Sequence, residues 1–495
     1  MRAKIISLRH WWFFTVLLVY GLVQAASLGI SDDEAYYWVL SRTPAWGYVY
    51  HPPLVAWIIS VAEKMLGWAP LPRELLVRLP GLFLFLGSIA LARRWLMETA
   101  SRDLSIRQTH YGLMVVPGFA ALSWMMVPDH PLIFSWMLGF YSCWRIIQSD
   151  ELRAKDLSFL AISAALGILS KFSAVLFCAS AALSILFLSR KKIEPFFALG
   201  AGAVVGTLPI IYWNSQNEWA ALLYQFQSRH AGASLDFLRY GKFWATQLIF
   251  AGPALMLFGF SFLGRAARRW KSLSLPEQYL FFWFLPALVF WVQPAFSSFK
   301  PHWAIVAWIP LGLAAALGET KNPAFARLHA AFLIPLLVFV GLFTQFPISS
   351  AIQSWWTGKP ANPLYDLSND LKGWDELPRF LKEKNISQDT PVVGARYQTA
   401  SQAAFSLWPH RVVTLTPKTL AESREWPSLE QALLERGAGL WPRLQNPVIY
   451  IHDDRFDQEP SFSESKCSKL GVVGQPRYGM PSKRIHIWDC QPDRP

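Results

Sequence analysis

Up to about residue 345 the apolar positions come in runs of roughly 16 to 22 residues separated by short charged loops; beyond it the chain turns polar and mixed. A run of about 20 apolar residues matches the hydrocarbon thickness of a bilayer, and a helix satisfies its own backbone there. The pattern predicts eleven spans, at roughly 11–30, 75–97, 108–127, 131–148, 157–170, 172–189, 195–213, 243–263, 277–293, 302–318 and 328–346. The fifth and sixth share one apolar run, interrupted only near Ser170 and Lys171. The first run has no small-residue cleavage site and continues as a span, so it reads as a retained helix and not a removed signal peptide. The expected fold class is a polytopic α-helical membrane protein, residues 1–346, with a soluble α/β domain at 347–495.

Basic residues set the expected orientation. Arg2, Lys4 and Arg9, then Arg93, Arg94, Arg102 and Arg107, Arg153 and Lys155, Arg190 to Lys192, and Arg265 to Lys271 occupy alternate loops. The positive-inside bias assigns those loops to the cytoplasm. The opposite set holds loop 31–74, the Pro128-Asp129-His130 turn, the Ser170-Lys171 break, loop 214–242, the segment FKPHW (299–303) and the whole tail. Every unusual acid or base of the membrane half then faces away from the cytoplasm. Within loop 31–74, HPPLVAWIISVAEKMLG (51–67) has helical spacing around Glu63 and Lys64. It suits a helix lying along the interface, started by its two prolines.

In the tail, PVVGARY, VVTLTP, NPVIYIHDD and KRIHIWDC read as strands, and WDELPRFLKEK and WPSLEQALLERG as helices. That alternation argues for a small α/β domain. Cys467 and Cys490 are its two cysteines, on the oxidising side, where a disulfide between them competes with two unpaired thiols. Cys143 and Cys178 lie within spans and read as packing residues.

Composition sharpens the class. The chain is 53% hydrophobic and 16% charged, against about 25% charged in ordinary soluble proteins. Its formal charge of +13 does not signal nucleic acid, because the excess sits in loops between spans. Its 25 tryptophans fit interfacial belts better than base-stacking platforms.

Candidate chemistry gathers on the outer face. In SDDEAYYWVL, Asp32, Asp33 and Glu34 are consecutive acids. A helix cap on AYYWVL needs one of them, and the others call for compensating cations or donors. They are candidates for a general base with a second carboxylate. Asp129, in MMVPDHPLIF, is either a turn residue capping the next span or a partner in the same site. Lys171 interrupts GILSKFSAV and Lys300 opens KPHWAIVAWIP, with His302 two residues on; Arg229 lies in loop 214–242. A lysine in an apolar run either snorkels to the interface or pairs with an anion. Such cations suit a phosphate-bearing lipid, stabilising charge that develops on a leaving phosphate. Tyr36, Tyr37 and Trp38 are candidates to line the substrate or to form an interfacial belt. Asp33, Glu34 and His51 have acceptable donor types for a divalent cation, although no close-spaced metal motif is present. Nor is there a P-loop or a dinucleotide fingerprint, and a soluble nucleotide sugar would be in the wrong compartment.

The run SDDEAYYWVLSRTPAWGYVYHPPLVAWI resembles the first outer loop of bacterial type-C membrane glycosyltransferases, a family that includes the lipid A aminoarabinose transferases and, more distantly, the protein O-mannosyltransferases. The resemblance continues through VPDHPLIFSWML, LGILSKFSAVLF, FSSFKPHWAIVAWIPL, GWDELPRF and VVGARYQTASQAAFSLWP, most of the chain. It implies a bacterial inner-membrane enzyme taking a sugar from a polyprenyl-phosphate-linked donor to a periplasmic lipid, glycan or protein. It implies Asp33 as the essential acid beside Glu34, Asp129 as the second, and Lys171 and Lys300 at the donor phosphate, joined by Arg229. His51 stands where the aminoarabinose transferases carry a lysine before the proline pair. Two other classes share these features: a transporter or flippase of lipid-linked sugars, which needs gates reachable from both sides, and a non-catalytic envelope assembly protein whose tail binds a partner.

Overall fold

The structure, a computed structural model, describes residues 12–99, 116–228, 234–318, 323–410, 412–414, 434–435, 443–444, 446–462 and 465–493. Helices carry the chain as far as Gln345. In order they are α1 (Trp12–Ser27), α2 (Asp32–Arg42), α3 (Leu54–Leu66), α4 (Arg73–Thr99), α5 (Asp129–Gln148), α6 (Ala154–Ser170), α7 (Ala174–Leu188), α8 (Ile193–Gln216), α9 (Phe237–Phe250), α10 (Pro253–Arg268), α11 (Leu275–Phe284), α12 (Ile305–Gly318) and α13 (Pro323–Gln345), with shorter turns between.

These helices do not make eleven spans. Among the described residues four stretches are long and apolar enough to cross a membrane: Arg73–Thr99, Ile193–Gln216, Leu275–Ala295 and Arg327–Gln345. Two bent pairs raise the number to six. Composition cannot register a bend, and the expected span at 243–263 is bent, as is the passage from the first span into the loop after it. Thr15–Ser27 meets Asp32–Arg42 at 75°, and Phe237–Phe250 meets Pro253–Arg268 at 110°. The second bend is built from Gly252, at φ +80°, followed by Pro253. Glycine takes that left-handed conformation without steric cost, and proline opens the next helix. Ala174–Leu188 and Pro301–Leu317 are apolar but short. The expected span at 108–127 begins outside the described residues, and only Pro117–Ala121 is helical in the remainder.

One compact unit comprises Met1–Gln24, Tyr50–Val55 and Arg78–Phe339. Its closest helix pair is α6 with α8. A Cβ on Gly202 would lie 2.0 Å from the carbonyl oxygen of Ala161, and one on Gly206 would lie 2.7 Å from that of Ala165. The four-residue spacing of these glycines lets two backbones touch, which is how helices associate where lipid removes the hydrophobic drive. Trp95, Trp136, Phe140, Trp144, Tyr279 and Trp283 form an edge-to-face cluster nearby, with the Tyr279 hydroxyl donating to the carbonyl of Phe140.

The second unit gathers Ala25–Val49, Ala56–Val77 and Val340–Pro495. Its sheet comprises β1 (Val392–Gly394), β2 (Val412–Thr414), β3 (Val448–Asp453), β4 (Ser465–Val473) and β5 (Ile485–Pro492), in the spatial order β2-β1-β3-β5-β4. β1 runs parallel to β2 and β3, whereas β3, β5 and β4 are antiparallel. Helix α14 (Tyr397–Leu407) supplies the crossover a parallel pair needs. Strand β4 has no alternating apolar signal, and its first half is largely exposed. It is held instead by pairing to β5, where Cys467 faces Cys490 and the two form a disulfide. The helix expected at WPSLEQALLERG falls mostly outside the described residues; within it Leu434–Glu435 pairs as a short strand with Arg443–Leu444. Val393, Val413, Val448, Tyr450, Phe462 and Cys490 make the domain core.

Helix α2 packs on α14 within this unit. The Trp38 ring meets Phe405 at 5.0 Å and Trp408 at 5.5 Å, and Tyr36 meets Tyr397 at 5.2 Å. Burying each aromatic of this size contributes on the order of 2–3 kcal/mol, enough to fix the helix that carries the acidic triplet.

Candidate active site

Ser31 caps α2, and the triplet divides at once. The Ser31 backbone N–H and hydroxyl both donate to Glu34 Oε2, at 3.2 and 3.0 Å, while the Glu34 N–H donates back to Ser31 Oγ at 3.4 Å. This reciprocal capping box satisfies two otherwise orphaned helix-end donors. Glu34 has no exposed surface and is engaged in the cap. Asp32 accepts from Gln402 Nε2 at 2.9 Å, and the same amide donates to the carbonyl of Ile30 at 2.9 Å. Asp33 occupies the same first turn, half-buried. Tyr36, Tyr37 and Trp38 are buried in the packing just described. The Trp38 indole N–H donates to Glu63 Oε1 at 2.8 Å.

A second acid lies in the other unit. Asp129 opens α5 with no side-chain cap, and its carboxylate turns to a tertiary partner instead. Lys171 Nζ donates to both of its oxygens, at 2.8 and 3.0 Å. His302 Nε2 stands 3.7 Å from Asp129 Oδ2. Lys171 ends α6, is 7% exposed, and holds its ammonium 5.5 Å from the centre of the Trp303 ring. Three segments distant in sequence, VPDHP, LSKFS and KPHW, thus converge on one charge-assisted pair. Lys300 is exposed at the start of the Pro301–Ala304 turn, and His51 is half-buried ahead of α3. Arg78 is buried with its guanidinium 4.7 Å from the Trp124 ring. Arg229 lies outside the described residues.

The sequence reading missed two groups in the tail. Gln402 sits in a segment already singled out, yet nothing in QTASQAAF marks one glutamine as the clamp on Asp32. Lys483 is 1% exposed, its Nζ makes no hydrogen bond, and it rests 5.0 Å from the Trp374 ring. Burial pushes its ammonium down to about 8 and nearby Arg455 adds to the effect, while Asp453, Asp32 and Asp370 oppose it. Arg455 is itself held by Asp453 and Asp370, each at 2.8 Å.

Residues 50–213 match the family described as dolichyl-phosphate-mannose-protein mannosyltransferase. Over 349 residues, 66% of this chain and 70% of the relative, the sequence is 24% identical to the lipid A galacturonosyltransferase RgtD of Rhizobium johnstonii. The apo structure of ArnT from Cupriavidus metallidurans superposes with a TM-score of 0.63 at 12% identity, covering 97% of both chains. The same protein bound to undecaprenyl phosphate gives 0.61 at 11% identity, over 96% of this chain and 97% of that one. The chain has the type-C glycosyltransferase fold. The mycobacterial arabinofuranosyltransferase AftD also matches, with a TM-score of 0.52 and 13% identity, over 98% of this chain and 40% of its own. Among the described residues no three His, Cys, Asp or Glu side chains converge as a metal-ligand group.

Proposed function

We propose that the chain is an integral membrane glycosyltransferase that moves a sugar from a polyprenyl-phosphate-linked donor to a periplasmic envelope acceptor, a lipid, glycan or protein. The observation that carries this reading is the buried Asp129–Lys171 pair with His302 beside it, in a fold whose solved relative binds undecaprenyl phosphate. Residues 1–346 form the catalytic membrane domain and 347–495 the periplasmic one, with the N-terminus cytoplasmic. Lys300 and Lys171 meet the donor phosphate, with Arg229 and His51 as further donors. Asp33 takes the proton of the acceptor hydroxyl, Glu34 being engaged in its cap. The acceptor oxygen bonds to the anomeric carbon as the bond from that carbon to the phosphate oxygen breaks. Polyprenyl phosphate leaves, and the configuration inverts in a single displacement. Asp129 fixes Lys171, so that its charge is oriented before the phosphate arrives.

The test uses purified protein in detergent with a polyprenyl-phosphate sugar and an envelope extract that supplies acceptor lipids, glycans and proteins. Wild type should consume the donor, which a transporter cannot do without a sealed bilayer. Asp33→Asn should keep its fold and lower turnover by a factor on the order of 10² to 10⁴, the range for losing a general base. Wild-type turnover in Asp33→Asn removes Asp33 from the chemistry, and donor left intact by wild type removes transfer itself.

A further inference from the structure

The second unit holds a cavity of about 850 Å³ lined by Trp38, Arg42, Glu63, Arg73, Gln402 and Trp408 among others. That volume is within the range of about 300–1,000 Å³ typical of small-molecule sites. Two guanidinium groups flank one indole here. Arg42 lies 4.9 Å and Arg73 5.5 Å from the centre of the Trp38 ring; Arg42 also lies 5.7 Å from Trp408, and Arg73 5.4 Å from Phe405. Glu63, Glu74 and Asp375 also border the cavity, and Glu74 lies close enough to Arg73 to act on its charge. Glu63 accepts the Trp38 N–H with one oxygen and pairs with Arg42 through the other. Arg73 is in no ion pair among the described residues; its Nη1 donates to the backbone carbonyl of Phe405 at 2.8 Å. A guanidinium carries five N–H donors in a planar fork. Stacking on the indole uses its face and leaves that fork in plane, the geometry that grips a carboxylate or phosphate through two parallel bonds. Trp408, 45% exposed, borders the same cavity. The exposed part of that ring suits the C–H side of a sugar ring, while the Gln402 amide N–H groups are already given to Ile30 and Asp32.

We infer that this cavity binds an anionic saccharide, a sugar ring bearing phosphate or carboxylate, with Arg73 and Arg42 on the anion and Trp408 on the ring. The inference stands on the geometry of this unit and does not need the transfer reading; under that reading the occupant is the anionic sugar of the acceptor.

Full-length protein in detergent is titrated calorimetrically with glucose 1-phosphate, glucuronate, glucose and inorganic phosphate. One or both anionic sugars should bind more tightly than glucose and than free phosphate, and which one does identifies the anion. Arg73→Gln should weaken that binding roughly tenfold or more, as loss of a charge-assisted hydrogen bond implies. Arg73→Lys, a point charge without the fork, should restore only part of it. Trp408→Leu should weaken the sugar anions while leaving free phosphate unchanged, and it decides the matter if Arg73→Gln does not fold. Asp33→Asn should bind the probes as wild type does, so a failure of catalysis and a failure of this site are told apart. Equal affinity for all four probes overturns the inference, as does unchanged affinity in Arg73→Gln and Trp408→Leu.

Discussion

Each of the two units hides a lysine, and the pair is instructive because so much about them is alike. Lys171 and Lys483 are 7% and 1% exposed, and each lays its ammonium against an indole, Trp303 at 5.5 Å and Trp374 at 5.0 Å. The difference is a carboxylate. Lys171 donates to both oxygens of Asp129, while Lys483 makes no hydrogen bond and feels its acids only at longer range. A buried ion with a hydrogen-bonded partner keeps its charge in place; one without loses its proton more easily. The first arrangement is a fixed electrostatic fixture, and the second is a group whose charge depends on pH.

The largest effect should come from breaking the fixture. Asp129→Asn takes the negative charge out of this buried pair and should cost about 3–5 kcal/mol, the usual result of removing one partner. Thermal unfolding in detergent measures it. Combining it with Lys171→Met should recover most of that loss, and simple additivity would mean that the two side chains are not coupled.

Next in size is a pH effect on Lys483. Its folded-state value of about 8 lies below the ordinary 10.5. Between those two values the unfolded chain holds a proton that the folded chain has released, so stability from this group should rise with pH across that window. Lys483→Met should abolish that rise, read as the difference between the unfolding profiles of wild type and variant. Equal profiles would contradict the assignment. The smallest effect should be Trp374→Leu, which removes the π-face under Lys483 at a cost of about 0.5–2 kcal/mol and moves its proton release to lower pH.

Sequence reading recovered some of this and missed the rest for identifiable reasons. The helical membrane half was legible because apolar runs are long, but the number of spans was not. The bend at Gly252-Pro253 divides a run that composition treats as continuous. Asp129, Lys171 and His302 stood out as charges in apolar surroundings, and the structure joins them. The acidic triplet could not be divided by sequence, because a capping box and a catalytic pair use the same residue types; only the hydrogen bonds separate Glu34 from Asp33. Gln402 and Lys483 were invisible for the opposite reason. Each owes its surroundings to tertiary packing, with no local pattern to announce it. Strand β4 was missed because its alternating signal is absent and pairing with β5 alone defines it.

The second unit draws on chain from Ala25 to Val77 and then from Val340 onward. At synthesis rates of roughly 5–20 residues per second, α2 leaves the ribosome tens of seconds before α14 exists to cover it. During that interval Tyr36 and Trp38 lack the Tyr397, Phe405 and Trp408 rings that cover them in the folded protein. By the same reasoning, the tail produced alone would expose Phe405 where Trp38 should lie.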